Sequence, residues 1–189
     1  MKGNEKLTYE KVFYRRRKSS RNGNTIHQMY GWPFQKGPWC NDRLKTGLLD
    51  SVSSGCISYI GIAADEPNRF HNLTETKKSS LVEAGWDEAY CRKWCEENDL
   101  LSPIYTTATR GGCWFCHNQG VNQLRLLRKN YPELWNLMLK WDSDSPVNFH
   151  ADGHTVHDFD ARFALEDEGI ISSDERWSWS YLDAVQLRF

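Results

Sequence analysis

The sequence predicts an α/β fold, a parallel sheet flanked by helices, on three observations. The run Cys56-Ile57-Ser58-Tyr59-Ile60-Gly61-Ile62-Ala63 is short, apolar and β-branched, as expected of a strand buried in a parallel sheet. Segments on either side of it carry apolar residues at helical spacing. The run also ends in the polar stretch Ala64-Asp65-Glu66-Pro67-Asn68-Arg69, just past a strand's carboxyl end, where open α/β sheets bind ligands. At 189 residues the chain suits one domain, or one domain with a small appendage. It is too short for separate cofactor and substrate domains.

The first 30 residues are polar and basic, and the Asn-Gly pair and the Ser cluster in them read as a loop. The basic run Arg15-Arg16-Arg17-Lys18-Ser19-Ser20-Arg21 leads into Asn22-Gly23-Asn24, and Tyr30-Gly31-Trp32-Pro33 and Gly37-Pro38-Trp39 add turn signals. Between Cys40 and Ser51, Leu44, Leu48 and Leu49 give a helix, with Asn41 or Asp42 as its cap. After the Cys56–Ala63 strand, a second helix spans Asp87 to Glu97, capped near Asp87 and carrying Cys91 and Cys95 on one face. Leu100 to Tyr105, interrupted by Pro103, is loop or short strand. Leu124, Leu127, Tyr131, Leu134, Leu137 and Leu139 predict a third helix over Val121–Trp141, kinked or restarted at Pro132. A last helix is expected near Phe159–Glu168, and Trp177-x-Trp179-x-Tyr181 alternates as a half-buried strand does. The expected organisation is a domain over 1–140 with an acidic, Trp-rich extension, 141–189, packed on it.

Composition excludes several classes. No apolar run approaches the ~20 residues of a membrane span. No apolar segment follows Met1–Lys6, so no secretory signal is expected and the expected location is cytoplasmic. Nine tryptophans and 13% aromatic residues argue against disorder. Charge is polarised: residues 1–48 hold 11 Lys/Arg against 3 Asp/Glu, and residues 141–189 hold 3 against 11. Either the two ends neutralise each other, the acidic helix folding against the basic N-terminus, or they form binding faces of opposite sign. Arg15, Arg16, Arg17, Lys18 and Arg21 could contact phosphates, with Tyr14, Tyr30 and Trp32 available for stacking; a solvated loop is the alternative.

Six cysteines in such a chain point to metal or thiol chemistry before disulfides. Two thiolates at the spacing Cys113-x-x-Cys116 can clasp one ion, and Gly111-Gly112 before them permit a tight turn. A tetrahedral site needs four donors, which Cys40, Cys95, Cys113 and Cys116 supply, with Cys91 in reserve. Cys56, inside the apolar strand, reads as a buried small hydrophobe. His150, His154 and His157, with Asp158 and Asp160, are either a second metal site or a solvated loop. No Ser/His/Asp arrangement in a nucleophile context is visible, and nothing supports a hydrolase.

Trp39-Cys40-x-x-Arg43-Leu44-Lys45 resembles the cysteine-plus-basic segment of phosphoadenosine phosphosulfate (PAPS) reductases and adenylyl sulfate reductases. Ile60-Gly61-Ile62-Ala63-Ala64-Asp65-Glu66-x-x-Arg69 resembles their strand and sulfonucleotide loop. Leu81-Val82-Glu83 through Trp94-Cys95, Arg110-Gly111-Gly112-Cys113-Trp114-Phe115-Cys116, Leu124-Arg125 and Tyr131-Pro132-Glu133-Leu134-Trp135 are most similar to the reductase-like proteins of phages and mobile elements. The resemblance covers roughly 30–140. It implies part of an adenine-nucleotide α-hydrolase-like fold, and zinc or a [4Fe-4S] cluster on the cysteines. It further implies a nucleotide-facing set of Arg43, Lys45, Asp65, Glu66 and Arg69. The chain departs from the family in three places: Cys40 stands where an early cysteine pair is usual, the Ser-Gly-Gly-x-Asp-Ser PP-loop is absent, and no cysteine follows Cys116. The expectation is therefore a catalytically degenerate or non-autonomous module that binds a protein or nucleic acid, as an inhibitor or accessory factor. The alternative is a sulfonucleotide reductase whose PP-loop comes from a partner chain or a missing N-terminal part.

Overall fold

Helix α1 (Tyr9–Phe13) forms where extended Thr8 turns its hydroxyl back to accept the Lys11 amide at 3.3 Å. The sequence pattern alone predicts no helix here. The helix is one turn long and exists because Val12 and Phe13 are fully buried, so tertiary burial outweighs weak local propensity. The computed structural model describes residues 7–18, 27–33, 38–106, 111–173 and Trp179. Two units divide the chain, Met1–Leu44 with Cys113–Phe189, and Lys45–Gly112. The segment 177–181, expected as a strand, lies outside the described residues except for Trp179.

In the first unit, α1 is followed by a return of the chain in which Arg16 and Met29 form an isolated antiparallel bridge. The chain then bends at Gly31, whose φ of 61° lies in the left-handed region. A Cβ here would come within 2.8 Å of Pro146 Cδ and collide with Ser145 Oγ. Helix α2 (Trp39–Asn41) starts after Pro38 and runs into a π-helical stretch, Asp42–Thr46. Neither Asn41 nor Asp42 caps it, because the helix has begun before either. After the Cys113–Cys116 turn come α6 (Val121–Asn130), α7 (Pro132–Asp144) and α8 (Val156–Asp167). The restart expected at Pro132 occurs: Tyr131 leaves helical geometry and proline takes the first turn, where its missing N–H costs nothing. Helix α8 starts earlier than expected, because Thr155 and Asp158 form a reciprocal capping box.

Leu124 and Leu127 from α6, Trp135, Met138 and Trp141 from α7, and Val156, Phe159 and Phe163 from α8 meet Val12, Phe13, Trp32, Trp39 and Phe149 in one core. Most of these positions follow the i, i+3, i+4 spacing of an inward helix face. Among the described residues of the acidic end, the α8 carboxylates pair with α6: Arg125 with Glu166 at 2.6 Å, and Arg128 with both Asp160 and Asp167. Arg162 also reaches Glu166 at 3.0 Å, with side chains only 1% and 5% exposed. The N-terminal segment meets the acidic stretch through Tyr14, which donates to Asp144 at 2.7 Å, and through Trp32.

The second unit contains α3 (Gly47–Val52), β1 (Ser58–Tyr59), β2 (Lys77–Lys78), α4 (Ser80–Ala84) and α5 (Glu88–Glu97), with 3-10 turns at Pro67–Asn72 and Pro103–Thr106. β1 and β2 pair in parallel, Ser58 opposite Lys77 and Tyr59 opposite Lys78. Mixed helices and a parallel pair agree with the α/β class. The strand itself is shorter and far less buried than expected: Ile57 and Tyr59 are 56% and 66% exposed, and only Ile62 and Ala63, past its end, are buried. Cys56 is exposed too, which corrects its reading as a buried small hydrophobe. Ser79 is the pin of this unit: its hydroxyl donates to Ile62 O at 2.7 Å and accepts from Val82 N at the start of α4. Asp87 caps α5 as expected, accepting from Tyr90 N at 2.6 Å. No described helix is long and apolar enough to cross a membrane.

Replacing Gly31 by Ala is expected to lower stability by about 1–3 kcal/mol, since both φ and the Ser145–Pro146 contact oppose a side chain. Urea denaturation of the two proteins measures it. The second expectation concerns acid. Burial raises the Glu166 carboxyl, but the hydrogen bonds from Arg125 and Arg162 prevail and hold it below the ordinary range. Its stabilisation is thus present above the unfolded carboxyl pKa and is lost as pH falls through the lower, folded value. Glu166→Gln should therefore destabilise the protein at pH 7 by about 3 kcal/mol and flatten the acid limb of a melting-temperature profile.

Candidate functional site

Cys113 and Cys116 are held by a turn in which the Cys116 amide donates to Cys113 O at 3.0 Å. The Gln119 side chain closes it, its amide donating to the same carbonyl at 2.9 Å. Neither Gly111 nor Gly112 takes a positive φ, so the turn does not need them in the role the sequence suggested. Trp114 and Phe115, between the two thiols, face the core: Trp114 stacks on Trp141 at 5.7 Å, and Phe115 meets the Tyr9 ring at 4.1 Å. Trp39, one residue before Cys40, is buried 5.0 Å from the same Tyr9 ring. Aromatic packing therefore carries the Cys40 and Cys113–Cys116 segments to one place.

The Tyr9 hydroxyl marks that place. It is buried without a hydrogen-bond partner. Burial pushes its pKa upward, and the nearby Cys40, Cys116 and Cys113 thiols push it further. Three of the four expected ligands, Cys40, Cys113 and Cys116, belong to the same unit as this phenol. Cys95 and Cys91 sit one turn apart on α5 of the second unit, where burial first and then Cys95, Asp87 and Asp65 raise the Cys91 thiol. The donor chemistry, soft thiolates, fits zinc or an iron–sulfur cluster. The geometry is not closed: among the described residues no three His, Cys, Asp or Glu side chains are grouped to hold a metal ion.

Of the five expected nucleotide-facing residues, Glu66 and Arg69 are occupied with each other. Glu66 accepts from Arg69 at 2.8 and 2.9 Å and from Ala63 N at 3.1 Å, and the Arg69 bond first, then the Ala63 one, lower its pKa. Asp65 is exposed and accepts from Glu88 N at 3.1 Å, tying the loop to the start of α5. Arg43 lies over the Tyr30 ring at 5.0 Å, while Lys45 falls in the other unit and is exposed. In the basic run, Arg16 donates to His27 O, and Arg17 donates to Tyr30 O and covers the Tyr30 ring at 4.6 Å. Arg15 and Lys18 are exposed, and Arg21 lies outside the described residues.

The tail histidines do not converge. His154 stacks on Trp179 at 3.6 Å, and the His157 Nε2 pairs with Ser143 Oγ at 2.9 Å. Asp158 is used in the α8 cap and Asp160 in holding Arg128 and the Trp135 indole. His150 goes elsewhere, to a cavity of about 260 Å³ walled by His117, Asn118, Gln119, Ala151 and Asp152 with it. Sequence reasoning missed Tyr9 and His117. His117 directly follows the Cys113-x-x-Cys116 motif, and that adjacency was the available signal.

Compared with known proteins, the chain matches no family model, and no curated protein and no solved structure matches it significantly. Starting from metal-loaded protein, Cys113→Ser is expected to lower metal content and melting temperature together, because a ligand set spanning distant residues adds folding free energy. Cys56→Ser, at an exposed position, should change neither, as elemental analysis with thermal melts would record.

Proposed function

We propose that this chain is a non-autonomous, PAPS reductase-like module that works by docking on a protein partner, with a thiolate-bound metal holding its first unit in shape. The observation that carries this reading is the incompleteness of the second unit. Parallel strands are ordinarily buried on both faces. Here β1 and β2 pair only with each other among the described residues, and Ile62, Ala63 and Ser79 are the buried positions of that unit. Leu48, Leu49 and Val52 on α3 and Ile57 and Tyr59 at β1 are all more than half exposed. An apolar set of this kind marks an association surface, and the open edges of the pair offer backbone groups to an added strand. The surface is apolar, so it suits protein better than phosphate.

The nucleic-acid alternative for the basic run has less support, since Arg16 and Arg17 are engaged with the chain's own carbonyls and Arg17 with the Tyr30 ring. The first unit's Cys40, Cys113 and Cys116 would hold zinc or an iron–sulfur cluster. A structural zinc would only brace the fold, whereas a cluster would supply redox chemistry. Turnover of a sulfonucleotide needs an oriented phosphate cradle. Neither a PP-loop nor a cysteine beyond Cys116 is present in the sequence, so isolated chain is expected to release no sulfite from PAPS or adenylyl sulfate with a thiol or thioredoxin reductant.

The direct test is a pair of surface variants compared with the parent chain. Val52→Asp with Tyr59→Lys should abolish association with the partner, or with a second copy if the chain pairs with itself in sedimentation. It should change stability by less than about 1 kcal/mol, because both side chains are exposed. Arg15→Glu with Lys18→Glu should leave association intact. The opposite pattern, or binding to single-stranded nucleic acid lost only in the charge-reversed variant, would overturn the reading.

A further inference from the structure

His117 is 7% exposed, and neither its Nδ1 nor its Nε2 has a hydrogen-bond partner. Burying an imidazole with both nitrogens unpaired costs free energy that folding ordinarily avoids. His150, 33 residues away in sequence, presents the same anomaly: its Nε2 is buried and unpartnered. These two residues line one cavity, with Asn118, Gln119, Ala151 and Asp152. Each ring is fixed independently. His117 follows the Cys113–Cys116 turn, which Gln119 N extends by donating to Cys116 O at 2.9 Å. The His150 ring packs against Phe149 and Phe159 at 5.4 and 5.2 Å, and its loop closes through His150 N to His154 O at 2.9 Å.

Asp152 gives the pair a direction. Its Oδ2 lies 3.8 Å from His150 Nδ1, so the carboxylate stands on the Nδ1 side of the ring. With the proton on Nδ1, toward the carboxylate, Nε2 would present a bare lone pair to a metal ion. The Asp152 carboxylate is itself anchored, accepting from His154 N at 3.1 Å. Unpaired imidazole nitrogens beside an oriented carboxylate suit a borderline divalent transition-metal ion better than an anion, which would need donors.

We infer that the cavity between His117 and His150 is a binding site for a zinc-class divalent ion, with His150 Nε2 and one His117 nitrogen as ligands and Asp152 positioning His150. No three His, Cys, Asp or Glu side chains are grouped to hold a metal ion among the described residues, so the remaining coordination positions would fall to water. The site is distinct from the cysteine set and does not rest on the proposed function.

The experiment uses the full chain with Cys113→Ser and Cys116→Ser, so that thiolate binding does not mask the second site. Titrated with Co²⁺, this protein should bind one equivalent with d–d absorption and no sulfur-to-metal charge-transfer band. His150→Ala should weaken binding at least tenfold, and Asp152→Asn by about 10–100-fold. Because a cavity variant can fail to fold, the unmodified chain supplies a second measurement. On adding Zn²⁺, the imidazole ¹⁵N resonances of both His117 and His150 should shift together, while that of exposed His71 stays put. Unchanged His117 and His150 resonances at saturating Zn²⁺, or Co²⁺ affinity unaltered by His150→Ala in folded protein, would overturn the proposal. Loss of metal from the cysteines alone would defeat the thiolate reading and leave this one standing.

Discussion

Asp142 is the residue on which the first unit's arrangement depends. Its carboxylate accepts the Trp32 indole N–H at 2.8 Å and the backbone amides of Val156 and His157 at 2.9 and 3.3 Å. One side chain at the end of α7 thus satisfies the opening amides of α8 and pins the N-terminal segment to both helices. The sign of the charge suits this, since a carboxylate is favourable at a helix N-terminus. Burial pushes the Asp142 pKa upward, against the three donors that favour the charged form. Three hydrogen bonds converging there are what make a buried carboxylate tolerable.

The aromatic core takes its order from that anchor. Trp32, held by Asp142, is edge-on to Phe13, Trp141 and Phe149. Trp141 in turn stacks on Trp114, and Phe115 packs on Tyr9, so ring packing helps fix the Cys113–Cys116 turn. The same packing sets Phe149 and Phe159 around His150. A rigid aromatic layer is a sound support for sites that demand exact donor placement, because two-angle side chains lose little entropy on ordering. The second unit is built differently. Its order comes from Ser79, Asp87 and local ion pairs such as Arg92–Glu96, with little apolar burial behind them. A unit held by surface hydrogen bonds and exposed pairs has little stability of its own, since such pairs contribute a few tenths of a kcal/mol. Covering Leu48, Leu49, Val52 and Tyr59 would supply what it lacks.

Helices with strong signals were legible. The Asp87 cap, the break at Pro132 and the leucine spacing of α6 each depend on residues within one or two turns, and all three are realised. Helix α1 was not legible, because the basic residues from Arg15 onward dominate its surroundings while its formation depends on burying Val12 and Phe13 against distant α7 and Phe149. The Cys56–Ala63 run was legible as strand but not in its length or burial. Apolar content alone does not say whether a sheet neighbour is present to cover it. In the candidate sites, the cysteine pattern pointed to Cys40, Cys113 and Cys116, and Tyr9 was the part hidden from view.

By itself the sequence determined the α/β class, the helix caps and breaks, and the presence of thiol and imidazole donors, because these follow from short-range spacing and side-chain chemistry. Partnership was decided only by the tertiary structure. His150 had neighbours in sequence, His154 and His157, at a spacing that suggested a shared site, yet a stacked Trp179 and a Ser143 hydroxyl claim those two. The ring that joins His150 is His117, brought there by the turn after Cys116. The α8 carboxylates likewise found α6, since Arg125 and Arg128 stand beside α8 in the packed helices. Charge and donor type are local properties of the chain. Which groups meet is set by how the apolar faces pack, and that information is spread over residues far apart in sequence.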